Sequence, residues 1–185
     1  PFDRYLKGDK AALSAAAVRG MALFNGKAGC IQCHNGPLAS DQRLHSLGVP
    51  ENEVFKTDPL YQITHRWEHY QKGITETGYR GADIDMGLYY QTKNPKDIGK
   101  FRTPSLRELK YTAPYMHNGI LYTLEDVVDF YDAGGGPGPN KSPLIKPLRL
   151  SAQEKKDLVE FLNALSMDEP LIVKPPRLPE YQVMK

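Results

Sequence analysis

The feature that most constrains this chain is the pentapeptide Cys30-Ile31-Gln32-Cys33-His34, which contains both of its cysteines. Two thiols with a two-residue spacer can add to the two vinyl groups of one porphyrin and leave thioether bonds. The following histidine is then directed under the iron, so C-x-x-C-H is the attachment signature of c-type haem. We expect one covalent haem c per chain. His34 would be its proximal ligand, with the second ring N–H held by a backbone carbonyl.

Two other uses of a C-x-x-C pair fit this sequence less well. A redox disulfide is typical of a thioredoxin-like βαβ context, and no such pattern surrounds the motif. A zinc site needs a second pair of cysteines or histidines at ligand spacing. His65 and His69 are four residues apart, but they make a poor partner pair for a site that already contains His34.

Composition argues against several kinds of partner. The chain has 185 residues, with 24 Lys+Arg against 22 Asp+Glu and a formal net charge of +2, so no nucleic-acid-binding face is expected. The apolar stretches are far too short for a membrane span. Haem c is attached outside the cytoplasm, which predicts a periplasmic protein. Because no signal peptide opens the sequence, we expect a processed chain or a fragment.

Two segments predict the helices on which a cytochrome c fold depends. Ser14 is a suitable N-cap for a helix over 15–24, and Gly20 within that helix predicts the close approach of another backbone. Ser151 and Glu154 form a capping box that opens a second helix. The apolar stripe of this second helix consists of Leu158, Phe161, Leu162 and Leu165.

The sequence predicts an all-α, cytochrome c-like haem domain over 1–169 with long loops, in keeping with 16 glycines and 15 prolines. A Pro-rich extended C-terminal arm follows over 170–185. Proline at the first position predicts a short helix over Thr103–Leu109, and Tyr61–Tyr70 is expected to be helical. The glycine run Gly134–Pro139 predicts a mobile loop.

A further helix is predicted after Thr123, which forms a capping-box pattern with Asp126. The apolar face of this helix consists of Leu124, Val127, Val128 and Tyr131. Before it lies a basic run from Lys93 to Lys110 with six basic residues. Two of these, Arg102 and Arg107, are candidates for binding the haem propionates, the alternative being a solvated basic face.

Spacing alone does not choose the ligand on the other side of the iron. Met and His are the usual distal ligands, Tyr is a rarer one, and a five-coordinate iron is a further alternative. The Met and His candidates are Met21, Met86, Met116, Met167, Met184, His45, His65, His69 and His117.

Several separated stretches resemble the bacterial di-haem cytochrome c peroxidase and MauG family. They are Gly20 to Pro37, Phe101 to Arg107, Thr112 to Gly119, Thr123 to Val128, and Leu150-Ser151-x-x-Glu154. The resemblance covers nearly the whole chain. It implies a fold of two cytochrome c-like domains with one haem each, of which this chain is similar to the second.

The resemblance also implies a distal ligand. In this family the residue fourteen positions after the Pro-Tyr-x-His histidine binds the second haem, as Met in peroxidases and Tyr in MauG-like members. Counting from His117 reaches Tyr131, so the chain resembles the Tyr branch. His117 is then a cofactor-binding residue and Met116 a packing residue. A core tyrosine with a hydrogen-bonded hydroxyl is the structural alternative for Tyr131.

The family further implies one Ca²⁺ between its two domains, held by backbone carbonyls that correspond to Thr112 and Pro114. Carbonyl oxygens suit this hard cation, although the side-chain ligand lies in the domain that this chain lacks. The resemblance also implies that peroxide reacts at the first haem. A Trp that assists electron transfer between the two haems is absent here, because Trp67 does not match its position.

These expectations lead to a haem c oxidoreductase domain that stores oxidising equivalents, with Tyr131 and His34 on the iron. Its partners would be an N-terminal haem domain or second chain, and a redox partner or protein substrate. One alternative is a single-haem electron-transfer cytochrome without catalysis. A weaker alternative is a haem-based sensor with a labile sixth ligand.

Overall fold

The computed structural model of the chain describes residues 1–74 and 84–169. Its α-helices are α1 (Phe2–Leu6), α2 (Ala15–Asn25), α3 (Glu53–Thr57), α4 (Pro59–Gln71), α5 (Tyr89–Thr92), α6 (Leu124–Asp132) and α7 (Ala152–Ala164). Short 3-10 helices lie at Lys10–Ala12, Cys30–Gln32, Pro95–Asp97 and Leu109–Tyr111, and the strands are β1 (Leu44–His45) and β2 (Phe101–Arg102). The predicted arm over 170–185 lies outside the described residues.

The crossing of α2 and α7 organises the core. Ser14 caps α2 by accepting a hydrogen bond from its first turn. Phe24 and Phe161 are both buried and meet edge to face, with ring centroids 5.2 Å apart. At Gly20 a β carbon would overlap the main-chain carbonyl of Asp157. The predicted helix and the close backbone approach at Gly20 are therefore confirmed.

Two capping boxes fix the starts of α6 and α7, as predicted. Thr123 and Asp126 exchange side-chain and backbone hydrogen bonds at the start of α6, and Ser151 and Glu154 do so at the start of α7. The predicted apolar stripe of α7 is buried throughout, at Leu158, Phe161, Leu162 and Leu165. Each helix thus begins where its sequence supplies partners for the free N–H groups of the first turn. Helix α4 also covers the segment predicted to be helical.

The prediction of an all-α fold needs a correction, because β1 and β2 form a small antiparallel sheet with Leu44 opposite Arg102. The chain is otherwise mostly helical with long loops. The predicted short helix over Thr103–Leu109 is wrong. The polar groups of this segment bind another loop instead, since Ser105 Oγ donates to the carbonyl of Leu38 at 2.6 Å. None of the helices within 1–74 and 84–169 has the length and hydrophobicity of a membrane-crossing segment.

The loop predicted at Gly134–Pro139 is present, and it is anchored along its length. Gly136 N–H donates to the carbonyl of Leu47 at 3.1 Å, and Ser46 Oγ donates to the carbonyl of Pro139 at 2.9 Å. Gly48 has a φ of +67° and lies against the backbone of Gly136. Glycines on both sides allow this contact between two backbones. The two loops together form one wall of the site described next.

Candidate haem site

A cavity of about 740 Å³ lies between α6, α7, the C-x-x-C-H segment and the loops that follow it. Its walls are mostly apolar, and its volume is within the range of about 300–1,000 Å³ typical of cofactor pockets. Nine residues to which the sequence analysis assigns a role in holding the haem or the calcium ion line this cavity: Cys30, Cys33, His34, Arg102, Arg107, Thr112, Pro114, His117 and Tyr131. Side chains more than a hundred residues apart in the chain thus meet in one place.

Cys30 is the first residue of a short 3-10 helix over Cys30–Gln32 that follows Gly29, and Cys33 is the C-cap of this helix. Gly29 has a φ of +63°, which turns the chain sharply away from α2. His34 N–H donates to the carbonyl of Cys30 at 2.8 Å, which folds the motif into one turn. Burial raises the pKa of the Cys30 thiol to about 11. Both sulfurs are free thiols beside the cavity, as haem attachment requires.

His34 has the orientation expected of a proximal ligand. Its Nδ1 lies 3.0 Å from the carbonyl oxygen of Ala39. Because a carbonyl can only accept, Nδ1 carries the proton and Nε2 keeps its lone pair. Burial lowers the pKa of His34 in spite of this hydrogen bond, so the imidazole is neutral near pH 7. The predicted backbone acceptor for the second ring nitrogen is thereby identified as Ala39.

Tyr131 lies on the apolar face of α6 that lines the cavity, close to both motif cysteines. Within the described residues its hydroxyl has no hydrogen-bond partner. The hydroxyl of Tyr115, which lines the same cavity, donates to the carbonyl of Leu109 at 2.8 Å. Burial raises the pKa of the Tyr131 phenol, with a smaller contribution from Cys30 and Cys33. Within residues 1–74 and 84–169, the hydrogen bond that the core-tyrosine alternative requires is not observed.

The other candidates for the distal ligand divide into two groups. Met116, His45 and His117 line the cavity, whereas Met21, Met86, Met167 and His69 do not. Met184 and the side chain of His65 lie outside the described residues. His45 is engaged elsewhere, because its Nε2 lies 3.0 Å from a carboxylate oxygen of Asp41 and 3.7 Å from the sulfur of Cys33.

The atoms of Cys33, Asp41 and His45 lie within 4.8 Å of one another and have the donor types of a metal site. The pKa of Asp41 falls to about 2: burial opposes this, but hydrogen bonds from Arg43 and His45 outweigh it. This cluster does not form a centre separate from the haem site, because Cys33 belongs to the attachment motif.

His117 faces the cavity from the loop after β2. Its ring stacks on Phe101 with centroids 3.6 Å apart and planes 14° apart. Burial lowers its pKa, while Asp85 and Glu51 act in the opposite direction. The next residue fixes the loop, since Asn118 donates to the carbonyl of Pro50 at 2.7 Å. His117 is therefore a partly exposed polar group on the wall of the cavity, stacked on Phe101.

The two predicted propionate ligands have different surroundings. Arg102 is exposed at the cavity, and no carboxylate or other hydrogen-bond acceptor contacts its guanidinium within 1–74 and 84–169. Arg107 uses three of its five N–H donors. Two of them go to Asp3 at 3.1 and 3.2 Å, and one goes to the carbonyl of Pro37 at 2.9 Å. Arg102 is thus the better placed of the two for an external carboxylate.

No protein-family model matches the chain. Cytochrome-c peroxidase IdrP1 of Pseudomonas sp. (strain SCT) is 68% identical over 183 residues, which cover 98% of this chain and 48% of that protein. The chain matches the di-haem cytochrome c peroxidase and MauG family. Methylamine utilization protein MauG of Methylorubrum extorquens is 36% identical over 179 residues, which cover 97% of this chain and 42% of that protein.

The di-haem peroxidase match extends to solved structures. A MauG-like protein associated with microbial copper homeostasis superposes with a TM-score of 0.65 and 33% sequence identity, over 90% of this chain and 48% of that one. The chain spans about half the length of the curated relatives it matches. Haem c is the cofactor expected of cytochrome c peroxidase and MauG family members.

The sequence did not predict one wall of this cavity. Leu47, Gly48 and Val49 line the cavity together with Pro137 to Pro139. The glycines of both loops were the sequence feature that could have indicated this wall, since Gly48 and the glycine run after α6 allow the two backbones to come into contact. Lys146 also lines the cavity and was not among the predicted residues, because nothing around it in the sequence indicates a ligand.

Proposed function

We propose that this chain is the C-terminal haem domain of a MauG-like di-haem peroxidase, with His34 and Tyr131 as the two iron ligands. The observation that carries the proposal is that the Tyr131 hydroxyl, without a hydrogen-bond partner among the described residues, shares one apolar cavity with both cysteines and His34. Such an arrangement meets the needs of haem c better than those of a disulfide or a zinc site.

Cys30 and Cys33 would bind the porphyrin as thioethers, and Arg102 would bind a propionate. Arg107 is available to a propionate only through the two N–H groups that Asp3 and Pro37 leave unused. His117 would contact the cofactor from its place on Phe101. When bound, haem c supplies an iron that can change oxidation state.

The chain's own groups set the properties of that iron. His34 donates to Ala39 through Nδ1, which makes the imidazole a stronger ligand. A phenolate at Tyr131 favours ferric and higher-valent iron, whereas a methionine raises the potential. The domain would therefore store oxidising equivalents. Peroxide would react at a haem on the other half of the protein.

A calcium ion is part of the same proposal. The carbonyl oxygens of Thr112 and Pro114 accept no hydrogen bond within the described residues, and carbonyl oxygens are suitable ligands for Ca²⁺. Two neutral ligands are far fewer than the 6–8 oxygens that this ion takes, as a rule. The N-terminal haem domain or a second chain would supply others. We place the assembled protein in the periplasm, where it would oxidise a redox partner or protein substrate.

Intact mass and peroxide turnover test this function. After expression in a host that attaches haem c, the chain is expected to carry one covalent haem, and a Cys30→Ser/Cys33→Ser double variant none. A chain without covalent haem would overturn the assignment. Turnover of peroxide is expected only when the chain is joined to the other half of the protein.

The alternative is a single-haem electron-transfer cytochrome. It is favoured by a site with two iron ligands, since a six-coordinate iron leaves no position for peroxide. The joined protein separates the two functions. Peroxide-dependent oxidation of an added electron donor supports the di-haem enzyme, and electron transfer without any peroxide turnover supports the cytochrome.

A further inference from the structure

Three consecutive backbone carbonyls follow the haem motif, and each accepts a hydrogen bond from a different side chain. Arg107 Nε donates to Pro37 at 2.9 Å, Ser105 Oγ donates to Leu38 at 2.6 Å, and His34 Nδ1 donates to Ala39 at 3.0 Å. The carbonyl that orients the predicted iron ligand thus belongs to a short strap, residues 37–39. Two side chains from the segment after β2 hold this strap.

Arg107 also connects this strap to α1. Its two terminal nitrogens donate to the carboxylate of Asp3 at 3.1 and 3.2 Å, and its guanidinium lies over the ring of Phe2 at 5.7 Å. Phe2 in turn meets Phe161 of α7 edge to face at 5.4 Å. One guanidinium therefore bridges α1, the core and the strap that holds His34.

We propose that Arg107 is a positioning residue that, together with Ser105, holds residues 37–39 and thereby sets the strength of the hydrogen bond from His34 to Ala39. The inference rests on the proposed function, because it requires His34 to bind the iron. Acceptors on the second nitrogen of a ligating histidine fix its orientation and raise its basicity. A firmly held strap gives His34 more imidazolate character and stabilises the ferric iron.

The side-chain chemistry at this position requires arginine. The planar guanidinium of arginine can donate to a carboxylate and to a carbonyl at the same time, whereas the ammonium of lysine is a single point charge. The bond to Pro37 is the important one for the strap. The ion pair with Asp3 is partly exposed, with Asp3 64% exposed, and contributes less because solvent screens it.

The test is the midpoint potential of the haem-loaded chain in Arg107→Lys and Ser105→Ala. Both substitutions preserve the charge near the haem, so a change in potential does not arise from a lost cation. We expect both to shift the potential in the positive direction, with a smaller shift of the same sign in Asp3→Asn. Arg4→Lys is the matched control, since Arg4 lies on α1 and pairs with Asp9 and Asp168.

The outcomes separate this inference from the function on which it rests. A wild-type chain without haem, or with an iron spectrum that His34→Ala leaves unchanged, contradicts the proposed function. A wild-type chain with normal haem whose potential is the same in Arg107→Lys, Ser105→Ala and the Arg4→Lys control contradicts the positioning role. Thermal unfolding of each variant shows that it is folded, and Ser105→Ala keeps the test decisive if Arg107→Lys unfolds.

Discussion

The backbone of Gly20 in α2 lies directly against the main-chain carbonyl of Asp157 in α7. The same two helices are joined by Arg19, which donates to both carboxylate oxygens of Asp157 at 2.7 and 2.8 Å. Close packing and a buried carboxylate therefore occur at one point of the crossing. This point matters for function because α7 also contributes Leu158 and Leu162 to the cavity wall.

Gly20→Ala is expected to destabilise the haem-loaded chain by about 2 kcal/mol. Helix propensity favours alanine over glycine by about 1 kcal/mol, but overpacking of a close contact costs about 1–3 kcal/mol, and here the neighbour is backbone. Urea unfolding measures the difference. The control is Ala22→Gly at an exposed position of the same helix, where only propensity acts and about 1 kcal/mol is lost. A more stable Gly20→Ala protein would show that the helices are not in contact there.

Asp157→Asn is expected to remove part of the acid sensitivity of the fold. The hydrogen bonds from Arg19 lower the pKa of this buried carboxyl, although burial acts in the opposite direction. A depressed folded-state pKa stabilises the protein above the unfolded pKa, and this stabilisation is lost as pH falls through the folded value. Melting temperatures of the two proteins should differ most near neutral pH, begin to converge as the pH falls below about 4, and become equal only below the folded pKa of Asp157. A constant difference over this range would refute the assignment.

The sequence could predict the parts of the fold that depend on local chemistry. Ser14, Thr123 and Ser151 cap helices because their hydroxyls bind N–H groups within three residues. The C-x-x-C-H motif is local in the same way, and its two cysteines and His34 line one cavity. Tyr131 is different: spacing placed it on an apolar face, and only the resemblance to a known family distinguished it from a core tyrosine.

The segment from Ser40 to Arg43 could not be predicted, because distant partners determine its position. Thr103 N–H donates to the carbonyl of Arg43, and its own carbonyl accepts from Ser40. These hydrogen bonds replace those of the helix predicted to begin at Pro104. A pattern read over a few residues contains no information on such partners.

Arg102→Gln is expected to lower the midpoint potential of the haem. Removing a cation beside a propionate leaves the negative charge of that carboxylate uncompensated, which favours the ferric state. The effect should be measurable because hydrogen bonds between charged groups are stronger than those between neutral groups. Spectroelectrochemistry on the loaded chain measures the shift. Lys96→Gln is the control, since Lys96 belongs to the same basic run but does not line the cavity. Equal potentials in both variants would remove Arg102 from the cofactor site.

Gly48→Ala is expected to loosen the wall formed by the two glycine loops and to cost about 3 kcal/mol. A left-handed φ costs a residue with a β carbon about 1–2 kcal/mol, and overlap with the Gly136 backbone adds to it. Gly36→Ala provides the control, because Gly36 has a φ of +70° with open space around it. Chemical unfolding should separate the two variants. If both lose the same stability, the contact between the loops does not contribute.

Tyr131→Phe is expected to change the ligation of the iron and leave the fold intact. The hydroxyl is the only group removed, and it makes no hydrogen bond within the described residues, so the loss of stability should be well under the 1 kcal/mol or so of a typical hydrogen bond. Electronic and electron paramagnetic resonance spectra of the ferric chain report the ligand.

Tyr115→Phe is the matched control for this substitution. Tyr115 lines the same cavity, but its hydroxyl donates to Leu109. Its removal should therefore cost about 1 kcal/mol of stability and leave the ferric spectrum unchanged. The two variants are predicted to have opposite effects: Tyr131→Phe alters the iron and spares the fold, while Tyr115→Phe does the reverse. Two results would assign the sixth iron ligand to another residue: a Tyr131→Phe spectrum identical to that of the wild type, or a methionine–iron charge-transfer band in the wild-type ferric protein. The remaining candidates would then be Met116 and His117, which line the cavity and have no other polar partner among the described residues.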